Sequence, residues 1–154
     1  LYRVNKKGKY NVPYGFRDNL KYDYQRLYLA SKKLQGIRIN CEDFAKKKYR
    51  IKARDLVFLD PPYTVSHNNN GFIQYNKDLF SLDDQKRLSK YIDYIKHKGA
   101  YYILTNAAHE SIHNIFSRDD DRLIQLDRYS LIGGKNAKRE LVTEYIFTNI
   151  LEGD

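Results

Sequence analysis

The sequence "DLVFLDPPY" (residues 55–63) carries the strongest strand signal in the chain. Its apolar run is bounded by charged residues, which predicts a strand covered on both faces of a sheet. Asp60 ends that strand, and the two prolines after it fix φ at successive positions and supply no N–H. The carbonyls of Asp60 and Pro61 are therefore predicted to accept hydrogen bonds from a ligand, and Tyr63 offers a planar face beside them.

Strand and helix signals alternate on both sides of this stretch. Residues 1–15 predict a two-stranded ribbon with a basic tip, and Ser81 with Asp84 forms a helix-start box. The alternation predicts an α/β sheet that is parallel in its middle, and the short loop between the last two strands predicts an antiparallel pair. Strands are predicted at 36–40, 55–60, 100–106, 122–129 and 141–150, and helices at 22–35, 41–49, 81–99 and 109–116.

The charge of the chain is unevenly distributed. The net charge is +9, and residues 1–54 hold 16 Lys and Arg against 4 Asp and Glu. Such a basic segment is typical of a surface that faces a polyanion, although a solvated lysine-rich face has the same composition. The single cysteine, Cys41, is expected to be a buried apolar residue of a protein from a reducing cytoplasm. No apolar run is long enough to span a membrane.

The residues at the strand end suit a particular kind of ligand. A carboxylate (Asp60), an adjacent carbonyl (Pro61) and an aromatic plane (Tyr63) match a flat heterocycle that carries an exocyclic amine, because the oxygens accept the amine hydrogens and the ring stacks. The alternative is a rigid strand-to-loop turn with a capping aspartate. The four histidines have no spacing typical of a metal site or a catalytic triad, and no metal is expected.

Several segments, taken in order, resemble the Dam-type (D12 class) adenine-N6 DNA methyltransferases. They are "RVNKKGKYNVPYG" (3–15), "DPPY" (60–63), "FSLDDQKRL" (80–88), "ILTN" (103–106) and "RYSLIGGKNAKRELVTEYIFTN" (128–149). The resemblance implies the C-terminal half of a Rossmann-like methyltransferase sheet, ending in an antiparallel strand pair, with a small N-terminal DNA-recognition hairpin. Residues 1–20 would end the target-recognition region, and residues 21–154 would form the C-terminal catalytic part.

The resemblance also implies roles for individual residues. The catalytic residues would be Asp60, Pro61 and Tyr63, and the residues near the cofactor, S-adenosylmethionine, would be Asp60, Phe80, Asp84 and Gln85. For the last three a helix cap and a core phenylalanine are the alternative. Lys7 stands where Dam-type relatives have a base-reading arginine, which leaves the recognised sequence open. The implied DNA-contacting residues are Tyr2, Arg3, Asn5, Lys6, Lys7, Lys9, Tyr10, Lys135, Lys138 and Arg139.

The implied activity is site-specific methyl transfer to N6 of an adenine flipped out of duplex DNA, with GATC as the expected target. No glycine-rich turn for the cofactor's methionine end is found, and the sequence has no methionine. We therefore expect a C-terminal piece of a bacterial or phage enzyme, inactive and a weak cofactor binder without its N-terminal remainder. A cytosine-N4 or RNA amino-methyltransferase and a catalytically silent DNA-binding module are the alternatives. A restriction–modification setting and an orphan methylase both stay open.

Overall fold

The computed structural model of the chain describes residues 5, 7, 9, 10, 22–64, 80–129 and 141–151, without the side chains of residues 47–49. It divides into two compact units, Leu1–Cys41 and Glu42–Asp154, which are described separately here. None of the helices in the described part is long and apolar enough to cross a membrane.

The described part of the first unit contains one helix. Helix α1 spans Tyr24–Leu34, and the Asp23 side chain caps it by accepting from the Arg26 N–H over 2.9 Å. The predicted helix at 22–35 is thereby confirmed, but it has no buried residue. Gly36 follows at a φ of +80°, a conformation that favours glycine.

Three predictions for the residues after α1 differ from the structure. Residues 37–40 form no strand, and Ile37 and Ile39 are 57% and 74% exposed. An alternating apolar pattern becomes a strand only when another strand pairs with it, and within the described residues none pairs with this segment. Cys41 is exposed rather than buried. Past it, residues 44–50 form a 3₁₀ helix, η1, in place of the predicted helix at 41–49.

The second unit is built on a four-stranded mixed sheet. Its elements, in chain order, are η1 (Phe44–Arg50), β1 (Leu56–Leu59), α2 (Leu82–His97), β2 (Tyr101–Ala107), α3 (Glu110–Phe116), β3 (Arg122–Tyr129) and β4 (Leu141–Thr148). The strand order is β1-β2-β4-β3, with β1 and β2 parallel and β4 antiparallel to both β2 and β3. The predicted α/β class and the closing antiparallel pair are thereby confirmed.

One face of this sheet, the covered face, carries the core. Successive side chains of a strand point to opposite faces, so every second residue of β2 and β4 enters the same cluster. The apolar residues of α2 recur at helical spacing and pack against this cluster together with α3. Its fully buried side chains include Ile92, Ile95, Tyr102, Leu104, Ile112, Phe116 and Phe147.

The opposite face, the open face, is formed in part by Leu56 and Phe58 of β1. These side chains are 58% and 63% exposed. The prediction that β1 is covered on both faces is therefore wrong for the described part of the chain. The apolar sequence shows that both sides of β1 are suited to burial. In the described part of the chain, only Val57 and Leu59 pack toward the core.

Candidate active site

The loop after β1 carries Asp60 at the carboxyl edge of the two parallel strands. Asp60 directly follows Leu59, the last residue of β1, and is exposed. Thr105 on β2 donates a hydrogen bond from Oγ1 to Asp60 Oδ1 over 2.9 Å. Ligands of open α/β sheets bind just beyond this edge. The parallel pairing of β1 and β2 thus fixes a carboxylate where a ligand can approach it.

The Tyr63 side chain of the same loop extends to β4. Its hydroxyl donates to Glu144 Oε1 over 3.0 Å, and Arg128 Nε on β3 donates to the same oxygen over 2.8 Å. Burial, followed by the nearby Glu144 carboxylate, raises the pKa of Tyr63 to about 12. The phenol is therefore protonated at neutral pH and acts as a hydrogen-bond donor to the carboxylate.

A row of buried polar side chains ties the loop to α2 and β2. Thr64, Gln85 and Asn106 are each at most 1% exposed. Gln85 Nε2 donates to Thr64 Oγ1 over 2.9 Å and to the Pro62 carbonyl over 3.4 Å, and Asn106 Nδ2 donates to Gln85 Oε1 over 3.1 Å. Thr64 Oγ1 in turn donates to the Phe80 carbonyl over 3.0 Å. Because buried polar groups need such partners, this row holds the loop on both sides of Tyr63.

The residues predicted to lie near a cofactor are used within the protein. Phe80 is half-buried against the core. Asp84 completes the predicted capping box by accepting from the Ser81 N–H and hydroxyl over 2.9 and 2.8 Å. Hydrogen bonds from Ser81, followed by one from Arg87, lower the pKa of Asp84. The structure thus brings Gln85 to the loop and directs Asp84 toward its helix cap, and the cofactor role of both residues stays a prediction.

The residues predicted to contact DNA are only partly described. Asn5 Oδ1 accepts from the backbone N–H groups of Lys7 and Lys9 over 2.9 and 3.1 Å, so its side chain builds a turn that presents two exposed lysines. Tyr10 is 60% exposed. The remainder of the predicted hairpin lies outside the described residues, as do Tyr2, Arg3, Lys6, Lys135, Lys138 and Arg139.

Two of the described histidines, His109 and His113, make contacts within the fold. His109 caps α3 by accepting from the Ser111 N–H over 3.1 Å, and the His113 ring lies edge-on to Tyr145 at 6.1 Å. His67 lies outside the described residues. No group of three or more His, Cys, Asp or Glu side chains that could hold a metal ion occurs in the described part of the chain.

Sequence reasoning missed three polar residues of the site. Thr105, Glu144 and Arg128 come from three different strands, and each contacts Asp60 or the Tyr63 cluster. A signal was present for Glu144, since it is the one charged residue within "LVTEYIFT", the sequence of β4. A carboxylate within a strand that is otherwise apolar or uncharged indicates a specific partner.

Comparison with known proteins identifies the family of this chain. The description "D12 class N6 adenine-specific DNA methyltransferase" belongs to the family model that matches residues 1–131. The chain belongs to this family. The resemblance inferred from the DPPY segment and its neighbours is thereby confirmed, and the four-stranded mixed sheet is consistent with a methyltransferase fold.

Individual relatives of this D12-class chain include two type II methyltransferases. M.MjaIII of Methanocaldococcus jannaschii is 42% identical over 70% of this chain and 37% of its own length. M1.LlaDCHI of Lactococcus lactis subsp. cremoris is 32% identical over 97% of this chain and 53% of its own length. The Retron Ec67 DNA adenine methylase of Escherichia coli is 27% identical over 95% of this chain and 49% of its own length. The chain thus spans about half the length, or less, of these relatives.

Proposed function

We propose that this chain supplies the adenine-holding part of a site-specific DNA methyltransferase that acts on N6 of adenine. Family membership and the relatives' names support the reaction class. The observation that carries the proposal is the exposed Asp60 carboxylate, fixed by Thr105 at the carboxyl edge of two parallel strands. The enzyme would act on duplex DNA in the bacterial cytoplasm, and its gene would belong to the bacterium or to a phage. The setting would be restriction–modification or that of an orphan methylase.

Asp60 and the Pro61 carbonyl would act on the amine of the target base. An aromatic amine is a poor nucleophile because its lone pair is delocalised into the ring. Hydrogen bonds from its N–H groups to a carboxylate and a carbonyl favour the tetrahedral geometry and stabilise the positive charge that develops at N6. A carboxylate has about four acceptor sites and Thr105 uses one, so the Asp60 side chain retains capacity for the amine.

Tyr63 would supply the stacking plane for the base. The target N6 atom is inaccessible in a duplex, so the base must be extruded into the site. Stacking of a base on an aromatic side chain contributes about 1–3 kcal/mol. The Tyr63 ring is half-buried and held through its hydroxyl, so one face can be kept in a constant orientation toward the base.

S-adenosylmethionine, when bound, supplies the electrophilic methyl group. The described residues fit the acceptor side of such a reaction better than the donor side, because Asp84 and Gln85 already use their polar atoms within the protein. Asp60 and Phe80 are the residues of this chain that we propose to line the cofactor's approach. We expect the isolated chain to bind the cofactor weakly or not at all, and isothermal titration that gives micromolar affinity would contradict this.

The unpaired edge of the sheet at β1 suggests that another part of a longer chain packs there. Within the described residues, β1 pairs with β2 only, and Leu56 and Phe58 are exposed. An exposed apolar edge strand promotes aggregation, and proteins normally cover such an edge. We propose that the N-terminal remainder of a longer parent chain covers this edge, in keeping with the greater length of the relatives.

The deciding experiment is a methylation assay with the longer protein that contains this chain. Duplexes containing GATC and a randomised duplex library would be incubated with tritiated S-adenosylmethionine, and the methylated base identified by nuclease digestion and chromatography. We expect N6-methyladenine in GATC duplexes. N4-methylcytosine would favour the cytosine-N4 alternative. Salt-dependent duplex binding without methylation of any sequence would favour the silent DNA-binding module.

Asp60→Ala tests the residue that carries the proposal. We expect the methylation rate to fall by about 10²–10³-fold, since loss of one preorganised group that stabilises transition-state charge has an effect of this size. Asp55→Ala is the matched control, because Asp55 is an exposed carboxylate at the opposite end of β1 whose Oδ2 accepts one hydrogen bond, from the Lys52 N–H over 2.8 Å. Activity of Asp60→Ala within a few fold of the parent would remove Asp60 from catalysis.

A further inference from the structure

We propose that Glu144, braced by Arg128, is a positioning residue that sets the orientation of the Tyr63 ring for the flipped base. This inference rests on the proposed function, in which Tyr63 stacks on the base. The carrying observation is a contact between residues 81 positions apart, in which the Tyr63 hydroxyl donates to Glu144 Oε1 over 3.0 Å. Glu144 itself lies on β4 and does not contact the base in this proposal. It acts on the base only by holding Tyr63.

Arg128 keeps Glu144 in place. The register pairs Leu126 with Glu144 and Val142 with Arg128, so Arg128 is the diagonal neighbour of Glu144 across β3 and β4. Arg128 Nε donates to Glu144 Oε1 over 2.8 Å, and the Glu144 side chain is only 14% exposed. A carboxylate withdrawn from water to this extent needs a cationic partner, and the planar guanidinium restricts its rotamer.

The site has a physical need for this second anchor. The prolines before Tyr63 fix backbone torsions, but they leave the two side-chain torsions of Tyr63 free to rotate. A hydrogen bond at the hydroxyl, the far end of the ring, restricts these torsions before the base binds. The entropy lost in ordering the ring then does not reduce the affinity for the base. Because β4 pairs with β2, the anchors of Tyr63 (Glu144) and Asp60 (Thr105) belong to neighbouring strands of one sheet.

This arrangement differs from a cluster that only stabilises the β3–β4 pair. Thr143 and Asp127 face each other directly on the same strands and share a 2.6 Å hydrogen bond that does not involve the loop. Removing that bond removes cross-strand stabilisation alone. Removing the Glu144 bond also removes one of the contacts that hold the Tyr63 hydroxyl, and the two effects can therefore be separated by matched variants.

The test uses the longer protein that contains this chain and compares Tyr63→Phe, Glu144→Ala, their combination and the control Thr143→Val. Tyr63→Phe keeps the stacking ring and removes only the hydroxyl. We expect each single variant to lower kcat for methylation by about tenfold with KM for DNA little changed, as expected for loss of one hydrogen bond to a charged acceptor. The combined variant should be no slower than the slower single variant, because both changes break the same link. Thr143→Val should stay within about twofold of the parent.

Two further readouts distinguish positioning from general stabilisation. A duplex with 2-aminopurine at the target position reports how the extruded base stacks, and its fluorescence should change in Tyr63→Phe and Glu144→Ala but not in Thr143→Val. Glu144→Gln retains an acceptor oxygen for the Tyr63 hydroxyl and should recover most of the rate lost in Glu144→Ala. Where Glu144→Ala does not fold, Tyr63→Phe decides the question, since it leaves the Glu144–Arg128 pair intact.

The outcomes separate this inference from the proposed function. A parent protein that methylates no adenine ends both. A parent that methylates adenine while Tyr63→Phe keeps the full rate overturns the positioning role alone. Additive losses in the combined variant likewise overturn it, because Glu144 would then act through something other than Tyr63.

Discussion

The two faces of the sheet divide the work of the second unit between them. On the covered face, Tyr102, Leu104 and Phe147 are at most 1% exposed and form the core with α2 and α3. On the open face, Phe58 is 63% exposed and Thr105 bonds Asp60. Leu104 and Thr105 are neighbours in one strand, so the period-two alternation of β2 assigns stability to one side and chemistry to the other.

The largest expected effect comes from making the same Phe→Ala substitution on each side of the sheet. Phe116 on α3 is fully buried, with its ring 5.8 Å from that of Phe147. Phe116→Ala should lower the free energy of unfolding by about 3–5 kcal/mol, because it removes buried apolar area and leaves a cavity. Phe58→Ala in the isolated chain should cost less than about 1 kcal/mol, since most of that ring is already in contact with water.

Urea denaturation of the two variants, followed by circular dichroism, measures both values. Equal losses for Phe116→Ala and Phe58→Ala would break the comparison, because they would show that the open face is covered in the isolated chain. A further measurement on the longer parent protein sharpens it. A cost for Phe58→Ala that appears only in the parent would locate the surface that packs on β1.

The covered face was largely predictable from sequence, and the contrast between the faces was not. The apolar spacing of α2 and the apolar runs of β1 and β2 gave the elements and the side of α2 that packs. A similar alternation around Ile37 and Ile39 gave a strand that does not form. The pattern records which residues suit a sheet, whereas the presence of a pairing strand depends on segments far away in the chain.

The site was predictable where it is local and unpredictable where it depends on strand register. Asp60, Pro61 and Tyr63 lie in one short motif, and the DPPY resemblance identified them together. Glu144 meets Tyr63 only because β4 is inserted between β2 and β3 in a particular register. Local sequence contains no measure of that register, so a partner 81 residues away was out of reach.

The second test concerns the buried polar side chains behind the covered face. Gln85 is fully buried, and its amide links Thr64 with Asn106. Gln85→Leu fills that space with an apolar side chain of similar size but leaves the Asn106 amide without its acceptor, so we expect a loss of about 1–3 kcal/mol in unfolding free energy. Lys90→Leu, the same new residue at an exposed position of α2, should change stability by less than about 0.5 kcal/mol.

The outcome of this second test bears on how the two faces are connected. Gln85 also donates to the Pro62 carbonyl, so its loss should loosen the loop that carries Asp60. In the longer protein we therefore expect Gln85→Leu to lower the methylation rate as well as stability. Wild-type stability of Gln85→Leu, measured by the same urea titration, would show that the row of buried polar side chains is dispensable to the fold.

The smallest expected effect is a pH dependence confined to the open face. Burial and the Glu144 carboxylate raise the pKa of Tyr63 from 10.0 to about 12, so the folded state favours the protonated phenol. The resulting stabilisation is present in full below pH 10 and is lost as the pH rises through about 12. The stability difference between the parent chain and Tyr63→Phe should therefore shrink over that interval, as measured by urea titration at a series of pH values.

Tyr102 on the covered face has a raised pKa too, through burial and then its hydrogen bond to Asp121, but its titration is common to both proteins and cancels. Glu144→Gln removes the second cause and leaves burial, so in that background the same difference should shrink by less and level off at a lower pH. A difference that stays constant from pH 9 to 12 would show that the phenol and the carboxylate are not coupled, and would remove the physical basis for an anchored ring.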